Sequence, residues 1–257
     1  EILRCLVGSE MCIRDSHYAV GAFNCLSVEN VMGAIAAAEE LRAPVILQLA
    51  EVQFPGAPME LMAPVFLQAA RDAKIPVAVH LDHGQSPETC IRAIRAGFSS
   101  VMFDGAGLPL EENIARTRLV ARLAHAAGVD VEAELGRVGD TGSGGEGTGD
   151  ATTADIFTDV EESARFIAET GTDALAIAIG TSHGAYKFKP GQKPQLRFDI
   201  LKEVSDRLPG FPIVLHGASS VIPEYVEMIN QFGGEMPDAI GIPEDMLLSL
   251  IHISEPT

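Results

Sequence analysis

From Tyr18 onward, short runs of apolar and β-branched residues alternate with segments whose apolar positions recur at helical spacing. YAVGAFN, residues 18–24, predicts the first strand. Ser27 stands where a helix N-cap belongs, and the alanine-rich stretch from Val28 to Arg42 predicts the first helix. Pro44 opens PVILQLA and Pro76 opens PVAVHLDHG. Further strands are predicted at SSVMFDGA (99–106), VDVEAELG (129–136), DALAIAIG (173–180) and FPIVLHGAS (211–219), each followed by a helical pattern. Several are apolar on both faces, as strands covered by helices in a parallel sheet must be.

Strand–helix alternation by itself allows a doubly wound sheet or a (β/α)8 barrel. The polar positions separate the two. Asn24, Gln48, Asp82, His83, Asp104, Glu134, His183 and His216 all fall at the C-terminal ends of predicted strands. A barrel gathers those ends into one ring, where its active site lies, whereas a doubly wound sheet concentrates them at a switch point. The expected fold is therefore α/β, a TIM (β/α)8 barrel, truncated before its eighth strand because only seven are found. LLSLIHI near the C-terminus is apolar enough to pass for a strand, but it starts directly on a helix-like pattern with no turn.

Composition narrows the class. A chain of 257 residues with 47% hydrophobic content can bury a sizeable core. Its formal charge of −18, from 36 acidic and 18 basic residues, repels phosphate backbones and anionic bilayers, so neither nucleic acid nor membrane is an expected partner. Cys5, Cys12, Cys25 and Cys90 form no C-x-x-C pair, which suits a reducing cytoplasm. No apolar run approaches the roughly 20 residues of a membrane span, and EILRCLVGSEMCIRDS does not read as a secretory signal. The expectation is a soluble cytoplasmic protein.

Candidate chemistry centres on three histidines. His83, His183 and His216 each precede a glycine at a strand end, and three neutral imidazoles suit zinc while leaving a position open for substrate. The alternative is three unrelated rim or core histidines. Asp104 and Glu134 could hold a second cation or pair with Arg95 or Arg137, and Glu132 shares Glu134's face by period two. Within VAVHLDHG, His80 and Asp82 share one strand face and His83 should point away, unless the strand ends there, which Gly84 permits. His80 is expected to be a hydrogen-bonded packing residue; Asp82 and His83 are the expected chemical pair. The long glycine-rich loop GRVGDTGSGGEGTGDATTADIF (136–157) matches G-x-G-x-x-G but opens no helix directly, so a dinucleotide site is rejected. A lid is the better reading, carrying Glu146 to substrate as a base, with Asp140 and Asp150 as competitors. Neither a Walker A motif nor a G-x-S-x-G elbow is present.

YAVGAFN, PVAVHLDHG, SVMFDGA, VEAELGRVG, AIAIGTSHGAYKF and PIVLHGAS together resemble the class II, metal-dependent ketose-bisphosphate aldolases, the family of fructose-bisphosphate and tagatose-bisphosphate aldolases. The resemblance runs from about Tyr18 to Met246. It implies that His83, His183 and His216 bind a catalytic zinc ion and that Asp82 is the acid/base acting on the aldehyde half. Asp104 and Glu134 match a second position, for a divalent or monovalent cation. Gly184 and Gly217–Ala218–Ser219 are implied to cradle a substrate phosphate through backbone N–H groups, with Asn24 and Gln48 lining the same cavity. Sugar phosphates as small-molecule partners, and assembly as a homo-oligomer (dimer or tetramer), are also implied.

Two departures stand out. The loop after ELGRVG reads GSGGEG where the family carries more carboxylates, and nothing matches the family's phosphate-gripping strand of Asn-x-Asp/Ala-Thr type. Both ends, CLVGSEMCIRDS and LLSLIHISEPT, resemble translated sequencing-adapter read-through. The expected division is a non-native tail at 1–16, one barrel domain at 17–246 that is incomplete at its C-terminus, and a second non-native tail at 247–257.

The implied reaction is reversible cleavage of a ketose 1,6-bisphosphate, with fructose 1,6-bisphosphate the leading substrate, to dihydroxyacetone phosphate and glyceraldehyde 3-phosphate through a zinc-stabilised enediolate. Tagatose-bisphosphate cleavage and a catalytically impaired metal-binding fragment stay open. A metal-dependent barrel hydrolase is more remote, since such sites often take a His-x-His pair from the first strand and YAVGAFN has none. Schiff-base chemistry needs a lysine on a barrel strand; Lys74 precedes its strand, and Lys187 and Lys189 fall in a loop.

Overall fold

The computed structural model describes residues 19–136, 139–140, 157–183, 196–243 and 245–247. Two compact units are present: Glu1–Glu134 with Arg165–Leu175, and Leu135–Ala164 with Ala176–Thr257.

In the first unit the elements are β1 (Gly21–Asn24), α1 (Val28–Leu41), β2 (Val45–Ala50), a 3-10 turn (Glu51–Gln53), α2 (Met59–Asp72), β3 (Val77–Gly84), α3 (Pro87–Ala96), β4 (Ser100–Phe103), α4 (Leu110–Ala126) and β5 (Asp130–Leu135, whose last residue lies across the boundary). The five strands pair in chain order, every pair parallel. An order without reversal is that of a barrel and excludes a doubly wound sheet with its switch point.

Local chemistry explains the helix limits. Ser27 caps α1 by accepting from the Asn30 N–H at 3.3 Å, and Arg42 ends it in a left-handed conformation. Ser86 caps α3 by accepting from the Thr89 N–H at 3.1 Å, Pro87 occupies the first turn and Gly97 closes the helix at φ 99°. β2, β3 and β4 are buried at every residue, the condition the two-sided apolar pattern anticipated. Leu47, Leu49, Val79, Leu81, Val101, Phe103 and Val131 form one core with Val31, Phe66, Cys90, Ala93, Val120 and Ala124 of the helices. Strand period two then places Gln48, His80, Asp82, Ser100, Glu132 and Glu134, all buried, on the opposite face. Packing fixes one face; the other is left for polar chemistry.

The second unit contains β6 (Gly139–Asp140), β8 (Ser182–His183), α6 (Phe198–Arg207), β9 (Ile213–Val214) and α7 (Pro223–Gln231). α5 (Val160–Thr170) and β7 (Ala174–Ile177) cross from one unit to the other in the sequence. β7 stands between β5 and β9 in the strand order, and β6 pairs with β8 in a separate parallel ladder. Thr158 organises this unit: its hydroxyl donates to the Leu135 carbonyl and accepts from the Ala178 N–H at 2.8 Å. Gly136, at φ 87°, leaves no room for a side chain, because a Cβ there would stand 2.6 Å from Thr158 Oγ1.

Several strands are shorter than predicted. FPIVLHGAS contributes only Ile213–Val214, and DALAIAIG ends at Ile177, so His183 belongs to a short strand of its own. The loop 136–157, expected to lack structure, supplies the strand Gly139–Asp140. The candidate base Glu146 with its competitor Asp150, the phosphate residue Gly184, the segment LSLIHI and the N-terminal tail at 1–16 lie outside the described residues. No described helix is long and apolar enough to cross a membrane.

One amide ties two strand ends together. Asn113 of α4 is buried; its Nδ2 donates to the Glu134 carbonyl at 3.0 Å and its Oδ1 accepts from Thr117 Oγ1 at 2.9 Å. Gly105, just after β4, packs so closely that a Cβ would meet Asn113 Oδ1 at 2.2 Å. Asn113→Ala leaves the Glu134 carbonyl without this donor and is expected to cost about 1–3 kcal/mol. Urea unfolding reads the loss, and an unchanged midpoint contradicts the assignment.

Candidate active site

β3 carries the first cluster. His83 sits inside a strand yet has φ 43°, in the left-handed region that non-glycine residues rarely occupy. The pairing of β3 with β4 shifts register between Leu81 and Gly84, a bulge that reverses the side a side chain faces. The strand therefore does not end at His83, as expected from Gly84; it runs through Gly84, and the bulge re-aims the imidazole. Gly84 is required, since a Cβ would come 2.7 Å from the Met102 carbonyl.

The re-aimed ring meets three carboxylates. His83 Nδ1 lies 2.9 Å from Asp104 Oδ2 and 3.7 Å from Glu134 Oε2, and Nε2 lies 3.7 Å from Asp82 Oδ1. Asp104 is itself oriented, with Oδ1 accepting from the Ala106 N–H at 3.1 Å. Burial alone pulls the His83 pKa down, but the charges of Asp82, Glu134 and Asp104 and the hydrogen bond to Asp104 outweigh it and hold the imidazole well above its ordinary value. A cation binding at this ring replaces a proton. One ligand atom each from His83, Asp104 and Glu134 lies within 4.8 Å of the others, a spacing compatible with a shared metal ion.

Asp82 is oriented from the other side. Asn24 Nδ2 donates to Asp82 Oδ2 at 2.8 Å, while Asn24 Oδ1 accepts from Gln48 Nε2. Gln53 Oε1 accepts from the Ala50 N–H at 3.1 Å and takes a longer bond, 3.4 Å, from Asn24 Nδ2. The amide of Asn24 thus has one orientation, and it presents its donor to Asp82. His80 lies deeper in the strand, with Nδ1 2.8 Å from Ser100 Oγ and Nε2 3.6 Å from Glu132 Oε2. Glu132 therefore faces His80 and Glu134 faces His83.

In the second unit, His183 and His216 approach each other, with ring centroids 6.1 Å apart. His216 is buried and opens a turn in which Gly217 takes φ 62°. Ala218 is half-buried and Ser219 exposed, with the Ser219 carbonyl accepting from the Ile242 N–H at 3.1 Å.

The chemistry of the donor set fits a metal. His83 directs one ring nitrogen to a carboxylate, the outer contact that a ligating histidine normally makes, and this fixes which nitrogen faces outward from Asp104. Two residues were missed by the sequence reading, Glu51 and Gln53. Both lie just past the end of β2, so a strand-end search extended by a few positions reaches them.

Known proteins resemble this chain along most of its length. The family description "Fructose-bisphosphate aldolase class-II" matches residues 12–235. A fructose-bisphosphate aldolase of Treponema pallidum is 44% identical over 253 residues, covering 90% of this chain and 73% of the relative. One from Giardia intestinalis is 42% identical over 240 residues, covering 93% and 71%. Among solved structures, the YdjI aldolase of Escherichia coli K12 matches with a TM-score of 0.71 at 28% identity, covering 98% of this chain and 92% of that one. The fold is α/β of the TIM-barrel class, with seven strands of its main sheet among the described residues. A match of this length, joined to relatives of this identity, makes the chain a member of the class II fructose-bisphosphate aldolase family.

Proposed function

We propose that this chain reversibly cleaves fructose 1,6-bisphosphate to dihydroxyacetone phosphate and glyceraldehyde 3-phosphate, and that His83, His183 and His216 hold the divalent metal, zinc, on which the reaction depends. The observation that carries the reading is the His83 bulge, which turns an imidazole out of strand register and into contact with Asp104 beside Asp82. When bound, the metal supplies a Lewis acid that polarises the ketone and offsets the negative charge developing as the carbon–carbon bond breaks, an effect worth several kcal/mol.

The chain's own residues do the rest. Asp82, held by Asn24, takes the proton from the C4 hydroxyl as that carbon becomes the aldehyde, and returns it in the synthetic direction. Asp104 accepts from His83 Nδ1 and so presents Nε2. Asp104 and Glu134 also form the proposed position for a second cation. Gly184 and the backbone of Gly217, Ala218 and Ser219 are assigned the phosphate, Asn24 and Gln48 the adjoining wall of the cavity, and Glu146 the proton on carbon.

Three outcomes test this. Chelation is expected to abolish cleavage and added zinc to restore it, while borohydride with substrate leaves no adduct detectable by mass spectrometry; a trapped adduct contradicts the class. Asp82→Asn is expected to keep its zinc, by metal analysis, and to lose about 10²- to 10⁴-fold in kcat; wild-type turnover removes Asp82 from the mechanism. Assaying both sugars settles the substrate, and faster cleavage of tagatose 1,6-bisphosphate replaces fructose in the proposal.

A further inference from the structure

A histidine held at φ 43° needs its neighbours to fix it there, because the strain relaxes wherever the chain is free to move. On the strand side the restraints are the His83 N–H to Met102 Sδ, at 3.4 Å, and the Asp104 N–H to the Gly84 carbonyl, at 2.9 Å. The chain then leaves β3 through Gln85 and Ser86 into α3, and an unrestrained exit would let the bulge unwind. One side chain spans that exit. Glu51, in the 3-10 turn after β2, accepts from the Gln85 N–H through Oε2 at 2.7 Å and from Thr89 Oγ1 through Oε1 at 2.8 Å. Thr89 is buried and is also bound to the capping Ser86, so the carboxylate is anchored on both the exit and the first turn of α3. Cys90, whose thiol is pushed up to about 12 by burial first and by the nearby Glu51 charge second, sits against Gly84 on the same side. Both oxygens of Glu51 are used on this segment, which is more than surface solvation asks of a carboxylate.

We infer that Glu51 is a positioning residue for His83: it clamps the chain leaving the bulge and so keeps the imidazole aimed where the metal is held. The inference rests on the reading of His83 as a metal ligand. It assigns no contact between Glu51 and substrate or metal, and acts through the two residues that follow His83.

Glu51→Gln keeps the size of the side chain but gives it an amide where Gln85 or Thr89 needs an acceptor. This variant is expected to weaken zinc binding roughly 10- to 100-fold, as loss of an outer support does, measured by competition with a chromophoric chelator. Its kcat falls while KM changes little, and its melting temperature stays near that of the parent. Glu88→Gln, which removes an exposed charge from the same helix start, behaves as the parent in all three. Parental zinc affinity in Glu51→Gln overturns the inference, as does an equal loss in Glu88→Gln. Should Glu51→Gln fail to fold, Thr89→Val cuts one of the two bonds and is read the same way, with a smaller loss expected and no loss contradicting it. His83→Ala with parental zinc affinity would instead remove the underlying ligand assignment. The clamp is then judged from the metal-free protein alone, where Glu51→Gln is expected to shift the His83 imidazole resonances and unshifted resonances exclude it.

Discussion

The left-handed backbone of His83 is the constraint on which the first unit's chemistry depends. Alternation along β3 gives Val79 and Leu81 to the helix-facing core and His80 and Asp82 to the polar face. Continued without interruption, it would send the next imidazole into the apolar layer. The bulge between Leu81 and Gly84 breaks the count, so Asp82 and His83, adjacent in sequence, both serve the polar face. Strain of about 1–3 kcal/mol at such a residue persists only where packing over-determines it. Gly84 against the Met102 carbonyl and the hydrogen bond from Asp104 to Gly84 supply that packing.

The polar face concentrates charge that would be unfavourable without compensation. Asp82, Glu132 and Glu134 are buried and Asp104 is partly so, in a protein already carrying a charge of −18. Desolvated carboxylates stay ionised only where cations or donors face them. The groups that face them include His83, His80 and the amide of Asn24, and the raised His83 pKa is the same compensation seen from the imidazole. The arrangement therefore favours a cation on the polar face before any metal is considered.

Most of this architecture was legible in the sequence because packing obeys periodicity. Apolar runs of strand length gave β2, β3 and β4, Ser27 stands at the helix start it caps, and polar residues at strand ends named Asn24, Asp82, His83, Asp104 and Glu134. What was not legible came from tertiary geometry. A bulge has no pattern of its own, and the glycine after His83 reads as a strand end when it is a close approach to Met102. His183 was read as the end of a long strand, but Ile177 ends β7 and His183 pairs in β8 with a segment that looked structureless. Asn113 and Glu51 carry no motif at all, because their value lies in which backbone groups happen to face them.

Asp82 shows how these levels combine. Its two oxygens are distinguished by their neighbours: Oδ2 takes the Asn24 amide at 2.8 Å, and Oδ1 is the oxygen facing His83 at 3.7 Å. A carboxylate fixed through one oxygen cannot rotate to exchange them without breaking that bond, so its basic lone pairs keep one direction. Asn24 can hold it only because Gln48 takes the amide's carbonyl end, which settles which end of Asn24 is the donor. Gln48 in turn lies in register with His80, the strand partner two positions before Asp82. The direction in which the carboxylate presents its free edge is thus set by strand register, relayed through two side-chain amides, and it lies beside His83, whose backbone departs from that register.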